Sequence, residues 1–396
     1  MSIQTAKRLK TVEEYYFSRK LREVRELIQK GNPVINMAIG SPDLDPPAAV
    51  IEAIRDAVIT KGAHKYQSYQ GLPELRKAIA DFYLEKYKVS LNSENEILPL
   101  MGSKEGIMHI SLAYLNEGDQ VLIPNPGYPT YTSVTKLVGA EPVYYDLKDS
   151  TNWEPDFDQL ESKELSSIKL MWINYPHMPT GASGSQKLFE KLIRFAKKNQ
   201  ILLVHDNPYS FVLNKHPMSI LSVNGAFEVA LELNSLSKTF NMAGWRVGML
   251  CGDSEKINAI LKVKSNMDSG MFRGIQKGAI AALNISEDWY SKMNAIYSER
   301  RQLIWKLADF LECTYDKNSA GMFVWAKLQE GIDAEEFIDH ILYNQNIFIT
   351  PGNIFGSNGE GYIRFSLCVS ESDIEEAISR IQSAKENKHS KIQEAT

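Results

Sequence analysis

Cysteine is scarce in this chain, and the three present, Cys251, Cys313 and Cys368, are odd in number, far apart and without a CxxC spacing. That excludes a disulfide framework and a cysteine-built zinc site, so they read as core thiols of a reducing compartment. Long apolar runs are missing too: no stretch approaches the ~20 residues a membrane helix needs, and the N-terminus has no signal-peptide core. A cytoplasmic protein without membrane contact is expected. The formal net charge is only -5, with Lys and Arg spread along the sequence, so no basic patch invites nucleic acid. Neither the GxGxxG of a dinucleotide turn nor the GxxxxGK[ST] of a P-loop occurs, and the seven histidines form no HExxH-like pair, so no metal is expected. Small-molecule chemistry remains.

What the chain does have is rhythm. Short apolar runs, "NEILPLMG", "GDQVLIPN", "EPVYYDL", "IKLMWINYP", "ILLVHDNP", "VALELNSLS" and "VGMLCGD", alternate with amphipathic stretches such as "SQKLFEKLIRFAKKNQ". Alternation of this kind predicts an α/β fold: a large domain with a mostly parallel sheet covered by helices on both faces. Past about residue 285 a long helical stretch leads into "GMFVWAKL", "AEEFIDHILYN", "IFIT" and "GYIRFSLC", the pattern of a smaller α+β domain. At 396 residues, two packed domains are expected: 46–285 as the large one, 286–396 as the small one, and 1–45 joining the latter. The closing "AKENKHSKIQEAT" reads as a frayed tail.

Ligands of an open parallel sheet bind beyond the carboxyl ends of its strands. The residues leaving those ends are therefore the candidates. "NEILPLMG" ends at Gly102 and Ser103, directly before a helix whose free N–H groups suit a phosphate. "IKLMWI" ends at Asn174, "ILLVH" at Asp206, and "VALELN" at Ser235, Ser237 and Lys238. Phosphate donors, a carboxylate and a lysine on one edge fit pyridoxal 5'-phosphate, which needs an amine for a Schiff base, an acid for its ring nitrogen and donors for its phosphate.

The motifs "YQSYQGLPELR", "MGSKEGI", "PNPGYPTY", "NYPHMPTG", "HDNPY", "SLSKTFNMAGWRVG" and "YIRFSL" follow one another from about Gly40 to the last helix. In this order and spacing the chain resembles a class I/II aminotransferase of the fold-type I pyridoxal-phosphate family, nearest the alanine and LL-diaminopimelate aminotransferase group. The resemblance implies Lys238 as the Schiff-base lysine, Asp206 facing the pyridine nitrogen and Tyr209 facing the ring hydroxyl. It implies a phosphate cup of Gly102, Ser103 and Lys104 opposed by Ser235, Ser237 and Arg246, with Tyr128 against the ring. Arg364, beside the backbone of Gly40, is the implied anchor for a substrate α-carboxylate. It further implies a homodimer in which Tyr66, and also Asn266, reach across to the neighbouring subunit's site. The substrates would be an amino acid and a 2-oxo acid.

One residue departs from the family pattern. "NYPHMPTG" carries Met178 where relatives usually hold an asparagine that donates to the cofactor's ring oxygen, and a thioether has no donor. Tyr209 then becomes the main donor, unless Asn174 takes over. Two alternatives stay open: a β-lyase or other same-fold enzyme with the same lysine and acid, and a weakly active or non-catalytic cofactor-binding protein, which only Met178 favours.

Overall fold

The computed structural model describes residues 3–394. A short strand, β1 (Ile35–Asn36), precedes a seven-stranded sheet made of β2 (Ile97–Leu100), β3 (Gln120–Asn125), β4 (Glu141–Asp146), β5 (Ile168–Asn174), β6 (Leu202–Asp206), β7 (Ala230–Ser235) and β8 (Gly248–Gly252). Its order is β2-β8-β7-β6-β5-β3-β4, and β8 alone runs against the rest. The expected parallel architecture is what forms.

The reason is visible in β5, "IKLMWIN", where every residue but Lys169 is buried. A strand covered on both sides cannot alternate apolar with polar, so it reads as one continuous hydrophobic run. Its side chains still divide by parity: Leu170 and Trp172 enter one core cluster while Met171 and Ile173 enter the other, on the opposite face. The helix Gln186–Asn199 covers the second face with Leu188, Phe189, Leu192, Ile193 and Ala196, starts where the Ser185 hydroxyl accepts from the Leu188 N–H, and stops at Gln200 in a left-handed conformation.

A four-stranded antiparallel sheet follows, built from β9 (Thr314–Tyr315), β10 (Phe323–Lys327), β12 (Thr350–Pro351) and β13 (Tyr362–Ser366), while β11 (Ile347–Phe348) pairs in parallel with β1. The run "IFIT", read as one strand, thus splits between two sheets. Long helices Glu287–Phe310 and Glu371–Glu394 pack together beside them. The second continues through most of the stretch read as a frayed tail, a correction to that expectation; residues 395–396 lie outside those described.

The N-terminal segment is stitched to this part by β1 and by Lys20, whose ammonium lies 2.7 Å from Asp339. Arg300 adds a third tie, reaching Asp43 at 2.7 Å and Glu371 at 2.9 Å. The chain ahead of the main sheet is thereby held over the strand ends.

Candidate active site

Four parallel strands deliver their last residues to one edge. Strands β5 and β6 end in register, Asn174 opposite Asp206, and the Asn174 side-chain amide donates to the Asp206 carbonyl at 2.6 Å. Strand β7 ends at Ser235, whose hydroxyl accepts from the Ser237 N–H at 3.1 Å and starts the single turn that carries Lys238. At the end of β2, Gly102 has φ 88°, a conformation that favours glycine, and a Cβ there would lie 2.1 Å from an Arg246 nitrogen. Arg246 itself is steadied by donating to the Ala243 carbonyl at 2.8 Å.

These elements enclose a cavity of about 300 Å³. Gly40, Ser103, Lys104, Tyr128, Asn174, Met178, Asp206, Tyr209, Ser235, Ser237, Lys238, Arg246 and Arg364 all line it. Gly102 contributes backbone behind that wall, against Arg246. Tyr66 and Asn266 are not in it: both are exposed, Tyr66 at 89%, and Asn266 donates to the Lys262 carbonyl.

Burial sets the electrostatics. The Asp206 carboxyl is pushed up to about 6 by desolvation, against the pull of the Tyr131 hydroxyl and the His205 and Lys238 charges. One of its oxygens accepts from Tyr131 at 2.8 Å; the other, Oδ1, has no partner among the described residues. Lys238 is held below the ordinary lysine range, mainly by burial, with the Arg364 and Arg246 cations acting in the same sense against Cys368 and Asp206. Its amine donates to the Gly40 carbonyl at 2.6 Å. Gly40 must be glycine here, since a Cβ would meet the Phe323 ring at 2.3 Å.

Among the described residues Arg364 is a buried cation without an anion. One terminal nitrogen donates to the Ala38 carbonyl at 2.8 Å, the other meets the Met178 sulfur at 3.3 Å, and Nε has no partner among the described residues. Phe323 and Phe355 face the guanidinium at 3.9 and 4.6 Å. Desolvation brings Arg364 down to about 10, so it stays charged at neutral pH. A carboxylate would supply what the fork lacks. Met178 takes its place through the backbone, its N–H donating to Asn174 Oδ1 at 2.7 Å.

Sequence reading missed Tyr131, which shares the "PGYPTY" motif with Tyr128 and stacks on Trp172 at 4.9 Å beneath Asp206. The spacing of three between the two tyrosines, one helical turn, was the signal available. Phe323 and Phe355 carried no such signal, because their approach to Arg364 is purely tertiary.

The residues present suit a phosphorylated pyridine aldehyde. An acid oxygen without a donor, a lysine amine with depressed basicity and a basic cup around a glycine face one space. Residues 32–381 match the family model described as aminotransferase class I and II. The chain is 40% identical over 387 residues to the LL-diaminopimelate aminotransferase of Dehalococcoides mccartyi, covering 97% of this chain and 99% of that one. It is 39% identical to the enzyme of the same name from Aquifex aeolicus over 96% and 98% of the two chains. Among solved structures, apo-BacF from Bacillus subtilis superposes with a TM-score of 0.93 at 35% identity over 97% of this chain and 98% of that one. The alanine aminotransferase of Pyrococcus furiosus gives 0.88 at 28% identity, covering 97% and 100%.

Proposed function

This chain belongs to the class I and II aminotransferases and is a pyridoxal 5'-phosphate-dependent transaminase, and from that premise we propose the role of each residue and the class of substrate. Lys238 is the lysine that binds the cofactor aldehyde and later moves the proton at the substrate Cα. Asp206 holds the ring nitrogen in its protonated form, Tyr209 and Tyr128 address the ring, and Gly102, Ser103, Lys104, Ser235, Ser237 and Arg246 take the phosphate. Arg364 binds the substrate α-carboxylate beside Gly40. When bound, pyridoxal 5'-phosphate supplies an aldehyde for amine exchange and a cationic ring that accepts electron density. The observation that carries this reading is the unpartnered Asp206 oxygen in the same cavity as the Lys238 amine.

We further propose an amino acid with a distal polar group, LL-diaminopimelate as in the similar enzymes. A second cavity of about 670 Å³ shares Tyr15, Tyr128 and Phe355 with the first and is lined by Lys10, Glu13, Glu14, Arg19 and Lys136, charges of both signs. An ammonium and a carboxylate on one side chain match such a lining. Single-turnover reaction with a panel of amino acids, following the visible spectrum of the loaded protein, should give LL-diaminopimelate as the fastest; ammonia release in place of 2-oxo acid exchange would instead favour a lyase. Lys136→Ala should raise KM for LL-diaminopimelate about tenfold, about 1.4 kcal/mol, and leave alanine unchanged.

Met178→Asn should restore a donor to the ring oxygen and an acceptor to Arg364. The pH midpoint of the loaded protein's visible absorption is expected to fall by about half to one unit, the size of one hydrogen bond. Spectrophotometric titration of both proteins checks this, and equal midpoints would mean that another donor already serves the oxygen.

A homodimer is supported by one face that carries exposed Tyr66, Tyr69, Met267 and Phe272, brought together because Gly270 packs against the backbone of Gln67 and Ser68. Tyr66 and Asn266 then serve the neighbouring site. Residues 1–45 with 286–396 form the smaller domain over residues 46–285. Three buried free thiols fit a cytoplasmic setting, and no helix among the described residues is long and apolar enough to cross a membrane.

A further inference from the structure

Directly behind Asp206 the core holds a pair of titratable residues that the reaction does not touch. His205 on β6 and Glu232 on β7 are cross-strand partners, and both are fully buried. Strand alternation puts them on the face opposite the Asp206 side chain, where Phe189 closes over the imidazole at 5.1 Å.

Hydrogen-bond chemistry fixes where their proton is. His205 Nε2 faces the Tyr175 carbonyl at 2.8 Å, and a carbonyl only accepts, so Nε2 carries a hydrogen. Nδ1 faces Glu232 Oε2 at 3.1 Å. That oxygen already accepts from the Ser219 hydroxyl at 2.7 Å and the Ile220 N–H at 3.0 Å, while Oε1 accepts from the Tyr83 hydroxyl at 2.8 Å and Asn207 Nδ2 at 3.4 Å. Such a set of donors suits a carboxylate and crowds a carboxylic acid. The proton therefore rests on the ring, and His205 is an imidazolium paired with ionised Glu232.

The pair also brackets Asp206 along the chain. His205 precedes it and Asn207 follows it, and both side chains are bound to the one carboxylate of Glu232. Asn207 is pinned further through its N–H on the Leu233 carbonyl at 2.8 Å and its side chain on the Met218 carbonyl at 2.9 Å. The other titratable groups facing the pair are Tyr83 and Tyr87 from the helix Pro73–Tyr87 and Cys251 from β8. Burial first, and Glu232 in addition, hold all three well above their usual ranges, so they remain neutral.

We propose that His205 and Glu232 are positioning residues for Asp206: an imidazolium–carboxylate pair in the core that clamps both chain neighbours of the acid and keeps it ionised beneath the cofactor ring. The proposal rests on Asp206 being the ring-nitrogen partner. The positive ring beside Asp206 opposes the desolvation that drives the acid toward its neutral form.

Nitrogen-15 NMR of histidine in the cofactor-free wild-type protein should show His205 with both ring nitrogens protonated at pH 7. In Glu232→Gln and His205→Gln, the dissociation constant for pyridoxal 5'-phosphate should rise about tenfold and the acid limb of kcat should move up by about half a pH unit, with KM for the amino acid nearly constant. The double variant, which replaces an ion pair by a neutral hydrogen-bonded pair, should recover the melting temperature lost in the singles and leave affinity and acid limb displaced. A bare ring nitrogen on His205 at pH 7 overturns the proposal, as does a double variant that recovers affinity together with melting temperature, the signature of a structural role alone. The NMR measurement decides the matter even where a single variant fails to fold. Asp206→Asn serves as the control: unchanged cofactor affinity there would remove the reading beneath the proposal, and the proposal with it.

Discussion

Lys238→Ala is expected to lower turnover by about 10⁴-fold or more, because on the assignment proposed above one substitution removes both the nucleophile for the cofactor aldehyde and the base for the substrate Cα proton. The surroundings of the wild-type amine suit both tasks. Burial and two nearby guanidinium groups favour its neutral form, and only a neutral amine can attack or accept a proton. Folding should survive, since among the described residues the amine makes a single hydrogen bond, to the Gly40 carbonyl. Borohydride treatment followed by peptide mapping tests the assignment: wild type should carry the cofactor covalently at residue 238, and the variant nowhere. Lys104 is the control, since its amine also lines the cavity but lies over the Tyr15 ring at 5.0 Å. A label on Lys104, or a variant with near-normal turnover, would overturn the assignment.

Asp206→Asn should separate stability from catalysis. In the folded chain the carboxyl is raised from 3.8 to about 6, so its ionised form costs stability above pH 6, and the cost disappears as pH falls below about 4. The cofactor-free Asn variant is accordingly expected to be more stable than wild type by about 2–3 kcal/mol at pH 7–8 and equal to it near pH 4, as chemical denaturation at several pH values would reveal. Catalysis should move the other way, kcat falling by about 10²–10³-fold, because a neutral amide cannot hold a ring nitrogen in its cationic form. Affinity of the wild type for the cofactor should weaken as pH drops through 6, where a proton on Asp206 competes with the ring N–H, and the Asn variant should lose that dependence. A variant less stable than wild type at pH 8 would show that Asp206 is a structural acid.

How much of this could be read in advance depends on where the information lies along the chain. Buried parallel strands announce themselves as apolar runs, and the polar residues that close each run lie at the sheet's edge; Asp206, Asn174, Ser235 and Lys238 were legible for that reason. Contacts between distant segments were not. The approach of Met178 to Arg364 joins positions 186 residues apart, and the pairing of His205 with Glu232 follows from a strand register that no local pattern encodes. The split of "IFIT" escaped notice because two short pairs, Ile347–Phe348 and Thr350–Pro351, separated by one residue, look the same whichever sheet receives them. Tyr66 and Asn266 face away from the cavity of their own chain, so their assigned part is a statement about a second copy.

The one reversed strand has its own consequence. Because β8 runs backwards beside β7, the link between them, residues 236–247 with two helical turns, comes back to the side from which it left. Had β8 been parallel, a crossover would have carried Arg246 to the opposite rim, some five residues' rise away from the lysine. The stretch from Lys238 to Arg246 therefore acts as a caliper whose span is set by the length of this return and by the bonds that pin it, Asn241 to the Asp45 carbonyl and Arg246 to the Ala243 carbonyl. A single inserted residue there would misalign amine and guanidinium while leaving every strand pairing intact.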